Sequence, residues 1–301
     1  MSVDRRPFPL IRRRRRPGVP FGDVATRRRG SGLETIGHRL YEPGDPVAWI
    51  DWSASARLTA TAGTDSFVVR QRAADEAPRV VLAIDRKPAM DLYPQPLPWL
   101  AKRAALREAI VAIVLSAAAA RAEMGALDFS DGDPWWLPPG RRERAWLIAE
   151  REQAPFTAPT DSLQRALEFL ETHAGQLPAG TFVFLLSDFL APPSAHAWQS
   201  ALARGWEIVP VVIQDPVWER SFPDIGGVAV PVVEPRNGAV ATVRFSRRGA
   251  QRRREANVRR HDELRHDFEV LGLDPVQIVA SAPEEIDGAF IAWADARRRS
   301  L

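Results

Sequence analysis

The 301-residue chain contains no cysteine, which excludes a disulfide scaffold, a thiolate-bound zinc or iron–sulfur centre and a cysteine nucleophile. Long apolar stretches are missing as well. The longest uncharged run, Ala109 to Ala120, lies between Glu108 and Arg121 and falls short of the ~18 residues a membrane span requires, so it predicts a buried helix. No apolar h-region follows the arginine-rich start, since Pro17 to Asp23 is interrupted by proline and glycine. That argues against a Sec or twin-arginine signal and sets the expectation of a cytoplasmic protein. Phosphate-loop, nucleophile-elbow and His-Glu-x-x-His patterns are absent, and Gly30-Ser31-Gly32 lacks both the preceding strand and the third glycine of a dinucleotide fingerprint. Among the five histidines, His261 and His266 are about 140° apart on a helix and share no face. No catalytic group stands out, and the expectation is a non-enzyme.

What is present is the composition of a globular protein: 45% hydrophobic residues, with 10 Trp and 13 Phe. The charge is nearly balanced, 41 basic against 38 acidic residues, but the basic ones are clustered. Arg12 to Arg16 and Arg27 to Arg29 form unbroken runs, and seven arginines crowd the stretch from Arg247 to Arg260. Such clusters suit nucleic acid or another anionic surface. The alternative is a solvated tail and a solvated helix face, because no aromatic residues interleave as a stacking platform requires.

Along the chain, residues 1–20 read as a flexible arginine-rich arm and residues 21–77 as a β-rich segment with a turn at Pro43-Gly44. At Arg79 an α/β pattern begins. Val80 to Ile84, Phe182 to Leu186 and Ile208 to Ile213 are apolar runs of strands buried on both faces, separated by helical stretches such as Leu100 to Glu123 and Asp161 to Ala174. This α/β domain covers 78–216. In 217–301, Val228 to Val233 and Ala239 to Phe245 flank the hairpin signal Asn237-Gly238. A basic helix, a strand and a closing helix follow and are expected to pack on the same domain.

Ligands of open parallel sheets bind outside the carboxyl ends of the strands, and two strands here end in aspartate, Asp85 and Asp188. Asp85-Arg86-Lys87-Pro88-Ala89, the loop around Thr160 and Leu186-Ser187-Asp188 resemble the three loops of a metal-ion-dependent adhesion site of the von Willebrand A type. In that site oxygen ligands converge on one hard cation. Here Lys87 and Ala89 stand where hydroxyl ligands belong. The resemblance therefore implies a degenerate site of Asp85, Lys87, Ala89, Thr160 and Asp188, with Mg²⁺ disfavoured and no other cofactor.

The upstream motifs extend the resemblance. Gly30-Ser31-Gly32-Leu33-Glu34, Arg39-Leu40-Tyr41, Pro43-Gly44-Asp45, Ile50-Asp51-Trp52 and Ser55-Ala56-Arg57 are similar in order and spacing to the domain of unknown function 58 family, as are Leu186-Ser187-Asp188-Phe189 and Asp215-Pro216. The chain departs from that pattern at Pro46, Ala48 and His38. The family resemblance implies an α/β fold: a von Willebrand A-like, doubly wound, mostly parallel sheet with helices on both faces. A β-rich N-terminal elaboration and a hairpin/helix C-terminal extension complete it. It further implies action with a MoxR-type AAA+ ATPase; as the three-loop site carries no catalytic groups, the expectation is a non-enzymatic adaptor docking that ATPase or its client in complex assembly or maturation. The rival is a basic nucleic-acid or anionic-surface binder.

Two expectations come from the residues themselves. Asp51 is costly to bury alone, so Arg39 or Arg57 is its expected partner with Tyr41 beside them, either as an internal network or as a docking surface. At the degenerate site the Lys87 ammonium either bridges toward Asp85 or Asp188, near Thr160, or extends into solvent and leaves the carboxylates hydrated.

Overall fold

The structure is a computed structural model that describes residues 5–12, 35–41, 50–62, 67–72, 77–93, 100–140, 145–233 and 239–300. The chain divides into two compact units, Gly22–Ala77 and a larger one made of Met1–Phe21 with Pro78–Leu301. Glu34, Asp45, Arg13 to Arg16, Arg27 to Arg29 and the Asn237-Gly238 turn lie outside the described residues.

In the smaller unit, β1 (Thr35–Leu40) pairs antiparallel with β2 (Val68–Arg72), and α1 (Trp52–Ala62) lies between them in sequence. The segment holds the expected strands and, between them, a helix that the turn signals did not announce. Its start is signalled by Asp51, whose Oδ1 accepts the Ala54 N–H at 3.1 Å, and its alanines are strong helix formers. Ser55 Oγ donates to the Asp51 carbonyl and accepts the Val68 N–H, each at 2.8 Å, tying the helix to β2.

The larger unit is built on a six-stranded sheet. Its strands are β3 (Arg79–Ile84), β4 (Glu123–Asp128), β5 (Trp135–Gly140), β6 (Phe182–Ser187), β7 (Glu207–Ile213) and β10 (Val276–Ile278), in the order β10-β7-β6-β3-β4-β5. Every pairing is parallel except β4 with β5, a hairpin edge. Outward from β3, the chain first builds β4 and β5, then reverses to β6, β7 and β10. The switch point of this doubly wound sheet therefore falls between β3 and β6. The α/β sheet flanked by helices is consistent with a von Willebrand A-like fold.

Strand alternation sorts the core into two layers. Val80, Leu82, Phe184 and Leu186 face α2 (Lys102–Ala119) and α7 (Pro283–Arg299) through Leu106, Ile113 and Phe290. Val81, Ala83, Val183 and Leu185 face α4 (Ser162–Thr172), α5 (Ala195–Ala203) and α6 (Arg247–Val270) through Leu167, Trp198 and Phe268. The short α3 (Ala145–Glu150) continues into a 3₁₀ turn, Arg151–Gln153. A separate antiparallel ribbon, β8 (Ala229–Val233) with β9 (Val240–Arg244), leads into α6. Among the described residues no helix is long and apolar enough to cross a membrane.

The flexible-arm expectation fails for residues 5–12. Phe8 is buried, stacks on Phe290 at 4.7 Å and meets Trp293 edge-on at 5.8 Å, while its N–H donates to Ser116 Oγ at 2.9 Å. Arg5 bridges Glu108 at 2.6 Å and Asp287 at 2.5 Å, joining α2 to α7. The segment lacks periodicity because it is neither helix nor strand, yet Phe8 closes the seam between the two helices. Burying that ring contributes about 2–3 kcal/mol.

Candidate functional site

The two strand-end aspartates meet at the switch point. Asp85 follows β3, Asp188 follows β6, and parallel pairing, with Ile84 opposite Leu186, sets Asp85 beside Ser187 and Asp188 one residue beyond. Lys87 Nζ lies between them, 3.0 Å from Asp85 Oδ2 and 3.1 Å from Asp188 Oδ1. Its side chain is buried and does not extend into solvent.

Asp85 is saturated. Its Oδ1 accepts the Lys87 N–H at 3.1 Å and Ser162 Oγ at 2.9 Å, and its Oδ2 accepts Ser187 Oγ at 2.5 Å besides the ammonium. Four donors occupy about the four acceptor sites a carboxylate has. The threonine-loop hydroxyl is thus Ser162, at the start of α4, and not Thr160, which makes no side-chain hydrogen bond among the described residues. Starting a helix there aims the Ser162 side chain and the positive end of the helix dipole at the buried carboxylate. Ala89 is buried in a 3₁₀ turn, Pro88–Asp91, and adds no ligand.

A second ammonium grips Asp188 from the other side. Lys102 Nζ, fully buried at the start of α2, lies 2.8 Å from Asp188 Oδ2 and 2.7 Å from Glu219 Oε1. Glu219 Oε2 in turn accepts the Asp215 N–H at 2.8 Å, and Asp215 Oδ2 accepts the Leu100 N–H at 2.8 Å. The result is an alternating chain, Asp85, Lys87, Asp188, Lys102, Glu219, running along the carboxyl ends of the strands and into the β7 loop. Asp188 also accepts the Leu190 N–H at 3.0 Å, an approach made by the left-handed turn at Phe189, φ +50°. That residue's strain is held by its buried ring against Phe268, 5.5 Å away.

The electrostatics follow from burial opposed by partners. Burial alone depresses the Lys87 ammonium, but Asp188 and Asp85 outweigh it and hold its pKa above the ordinary value. Lys102 is likewise raised, burial being outweighed by Asp188 and Glu219. For Asp188 burial pulls upward, yet two ammoniums keep it below the usual carboxylate range. Glu219 shares Lys102 but moves the opposite way: burial dominates, only one ammonium opposes it, and the nearby Asp188 charge adds to the rise.

A divalent ion of the kind the adhesion-site resemblance implies does not fit these residues. An ammonium fills the position between the carboxylates, Asp85 has no acceptor site left, and Mg²⁺ demands near-octahedral oxygen ligands. Together Lys87 and Lys102 carry the charge a dication would bring.

Sequence reading missed Lys102, Ser162, Ser187 and Glu219 as members of this site. A count would have found the first: the chain has two lysines, Lys87 and Lys102, every other Lys/Arg position being arginine. Both converge on Asp188. A compact point charge fits a cavity that a planar guanidinium overfills, so lysine here is chosen against the bias of the whole sequence.

The end of β4 carries its own cluster. Asp128 takes a two-pronged contact from Arg151 at 2.9 Å and a longer one from the buried Arg86 at 3.3 Å; Arg86 also donates to the Arg151 carbonyl at 2.7 Å, pinning the 3₁₀ turn. In the smaller unit Asp51 is buried as the α1 cap, Tyr41 is half-buried, Arg57 donates to the Ser53 carbonyl at 3.2 Å, and Trp52 is 62% exposed and meets Phe67 edge-on. The Arg39 side chain lies outside the described residues. His261 on α6 is half-buried, 3.3 Å from Gln214 Oε1, and burial lowers its pKa.

An uncharacterized Mycobacterium bovis protein, Mb1516, and an uncharacterized Mycobacterium tuberculosis protein, Rv1480, are each 28% identical over 229 residues, 72% of this chain. The chain spans 66% of the length of these curated relatives. Two solved structures are similar at 14% identity and a TM-score of 0.42. One is the conserved hypothetical protein BatB from Bacteroides thetaiotaomicron, covering 72% of this chain and 99% of that one. The other is an aerotolerance-related membrane protein from Bacteroides fragilis, covering 73% and 99%. Residues 37–264 match the family described as Protein of unknown function DUF58, a span well over half of the chain, and the chain belongs to that family.

Proposed function

We propose that the protein is a non-enzymatic cytoplasmic adaptor that works without a metal or other cofactor, docking a MoxR-type AAA+ ATPase or its client during complex assembly or maturation. The position of Lys87 Nζ between Asp85 and Asp188 carries this reading. Acid–base or metal chemistry at this site would need one of its charged groups free to meet substrate, whereas they are buried and satisfied by one another. Their chemistry suits holding the loops at the strand ends in one shape, as a docking face requires. The AAA+ partner comes from the family resemblance. The test is a pull-down with the tagged full chain at native abundance: recovery of a MoxR-type ATPase supports the adaptor, and recovery of no AAA+ protein overturns it.

The charge order of α6 favours a second reading, a nucleic-acid or anionic-surface binder. Arg247 and Arg248 occupy its first turn and no basic residue its last, the reverse of what the helix dipole favours, at a cost of about 0.3–1 kcal/mol per charge. Binding to an oligonucleotide that falls steeply with salt supports this reading, and no binding at ~50 mM salt removes it.

A further inference from the structure

The β8–β9 ribbon is a two-stranded sheet with little to cover it. Val228, Val232, Val240 and Val243 are exposed, Val240 by 69%, and all of β9 faces solvent. Its base is fixed. Phe245 packs on Phe222 at 5.0 Å, the Phe245 N–H donates to the Val228 carbonyl at 3.0 Å, and the Gly227 N–H donates to the Phe245 carbonyl at 2.8 Å. Two residues opposite one, with Gly227 at φ +77°, make a bulge of the glycine type. Gly226 lets the Arg247 stem cross it, since a Cβ there would lie 2.4 Å from Arg247 Cγ.

This base sets which backbone groups point outward. The Phe245 amide and carbonyl face β8, so by strand alternation Val243 and Ala241 also face β8, and Arg244, Thr242 and Val240 present theirs to the outside. On β8 the outward positions include Pro231, which has no N–H to offer. Proline there blunts one edge, as natural sheets do, and the β9 edge has no such block. Among the described residues nothing pairs with it.

Charge selects the occupant. Six arginines and no acidic residue lie between Ala239 and Arg254, beginning with Arg244 on the open edge and Arg247 and Arg248 in the adjoining turn. A second copy of the ribbon would bring two sets of these arginines together at one sheet. Lipid cannot satisfy an open strand edge, and the ribbon's exposed residues include no aromatic ring for a nucleobase. We propose that the β9 edge takes up an extended segment of a partner protein in which apolar and acidic residues alternate. Its main chain pairs with Val240, Thr242 and Arg244, its apolar side chains cover Ala241 and Val243, and its carboxylates meet the arginines. This inference rests on the ribbon alone and is independent of the switch-point site.

Fluorescence anisotropy with the full chain tests it, using a labelled peptide of about ten alternating valines and glutamates. The controls are a valine–lysine peptide, a valine–glutamate peptide of the same composition in two blocks, phosphatidylserine vesicles and an oligo-dT strand. The expected result is binding of the alternating acidic peptide about tenfold or more tighter than either control peptide, weakened by salt. Thr242→Pro removes an outward donor without touching the β8 ladder, and should cut that affinity about tenfold while the circular dichroism is unchanged. Arg244→Glu with Arg248→Glu, which leaves the backbone intact, should do the same. Equal binding by either folded variant overturns the proposal. So does binding of vesicles or oligo-dT without the peptide, or a dimer of the full chain that Thr242→Pro dissociates.

Discussion

Lys102 Nζ lies 2.8 Å from Asp188 Oδ2 with neither side chain reaching solvent, although Lys102 opens a helix whose next residue, Arg103, is exposed. A buried ammonium persists because its alternatives are worse: without it, Glu219 keeps no cation and faces Asp188, left with Lys87 alone, in a medium that screens poorly. The same holds for Lys87 between Asp85 and Asp188.

Amine chemistry should see neither lysine. Treating the folded chain at neutral pH with an acetylating ester, followed by peptide mapping, should leave Lys87 and Lys102 unmodified, and the same treatment in concentrated urea should modify both. Acetylation of either lysine in the folded protein would contradict their burial.

Removing one partner should cost more than a surface ion pair does. Lys102→Met leaves Glu219 without an ammonium and Asp188 with Lys87 alone, and is expected to destabilise by about 3–5 kcal/mol in urea denaturation. Lys102→Arg keeps the charge but overfills the cavity, with an expected loss of about 1–3 kcal/mol. A tolerated arginine would remove the explanation for two lysines in an arginine-rich chain.

Stability should depend on pH in three windows, each with its own sign. Lys87 and Lys102 have raised folded pKa values, so their contribution is complete below the ordinary lysine value and is lost as pH climbs through the raised ones. Asp188 is depressed, so its contribution holds above the ordinary aspartate value and is lost as pH falls through the lowered one. Glu219 is raised by burial, so its ionisation costs stability near neutrality, and that cost fades as pH falls through the raised value toward the ordinary glutamate value. Urea midpoints of Glu219→Gln should lack this mild acid-side gain. A variant that keeps the wild-type slope would contradict the assignment.

The sheet was legible because strands buried on both faces advertise themselves: Val80 to Ile84 and Phe182 to Leu186 have no polar interruption until the aspartate or serine that ends them. The carboxylates of the site were legible for the same reason, as charges at fixed strand ends. Lys102 and Glu219 were not, since a basic residue opening a helix and an acid in a loop look solvated until the fold brings them together across 117 positions. Helix α1 was hidden by the turn residues around it, and Phe8 by a backbone with no period to read.

Phe8 provides the test of the N-terminal strap. Phe8→Ala leaves a cavity against Phe290 and Trp293 and should cost about 3–5 kcal/mol. A loss under about 0.5 kcal/mol, the range of a surface change, would return the segment to a free arm.

The central claim, that this switch-point site is completed by the chain's own ammoniums in place of a divalent ion, is met most directly by thermal unfolding of the wild-type chain in EDTA and in Mg²⁺. Ligands that bind only the folded state raise its midpoint by mass action. The account predicts no shift on adding about 10 mM Mg²⁺. A rise of about 2–4 °C or more that disappears in Asp85→Asn would show a metal bound at Asp85 and contradict it.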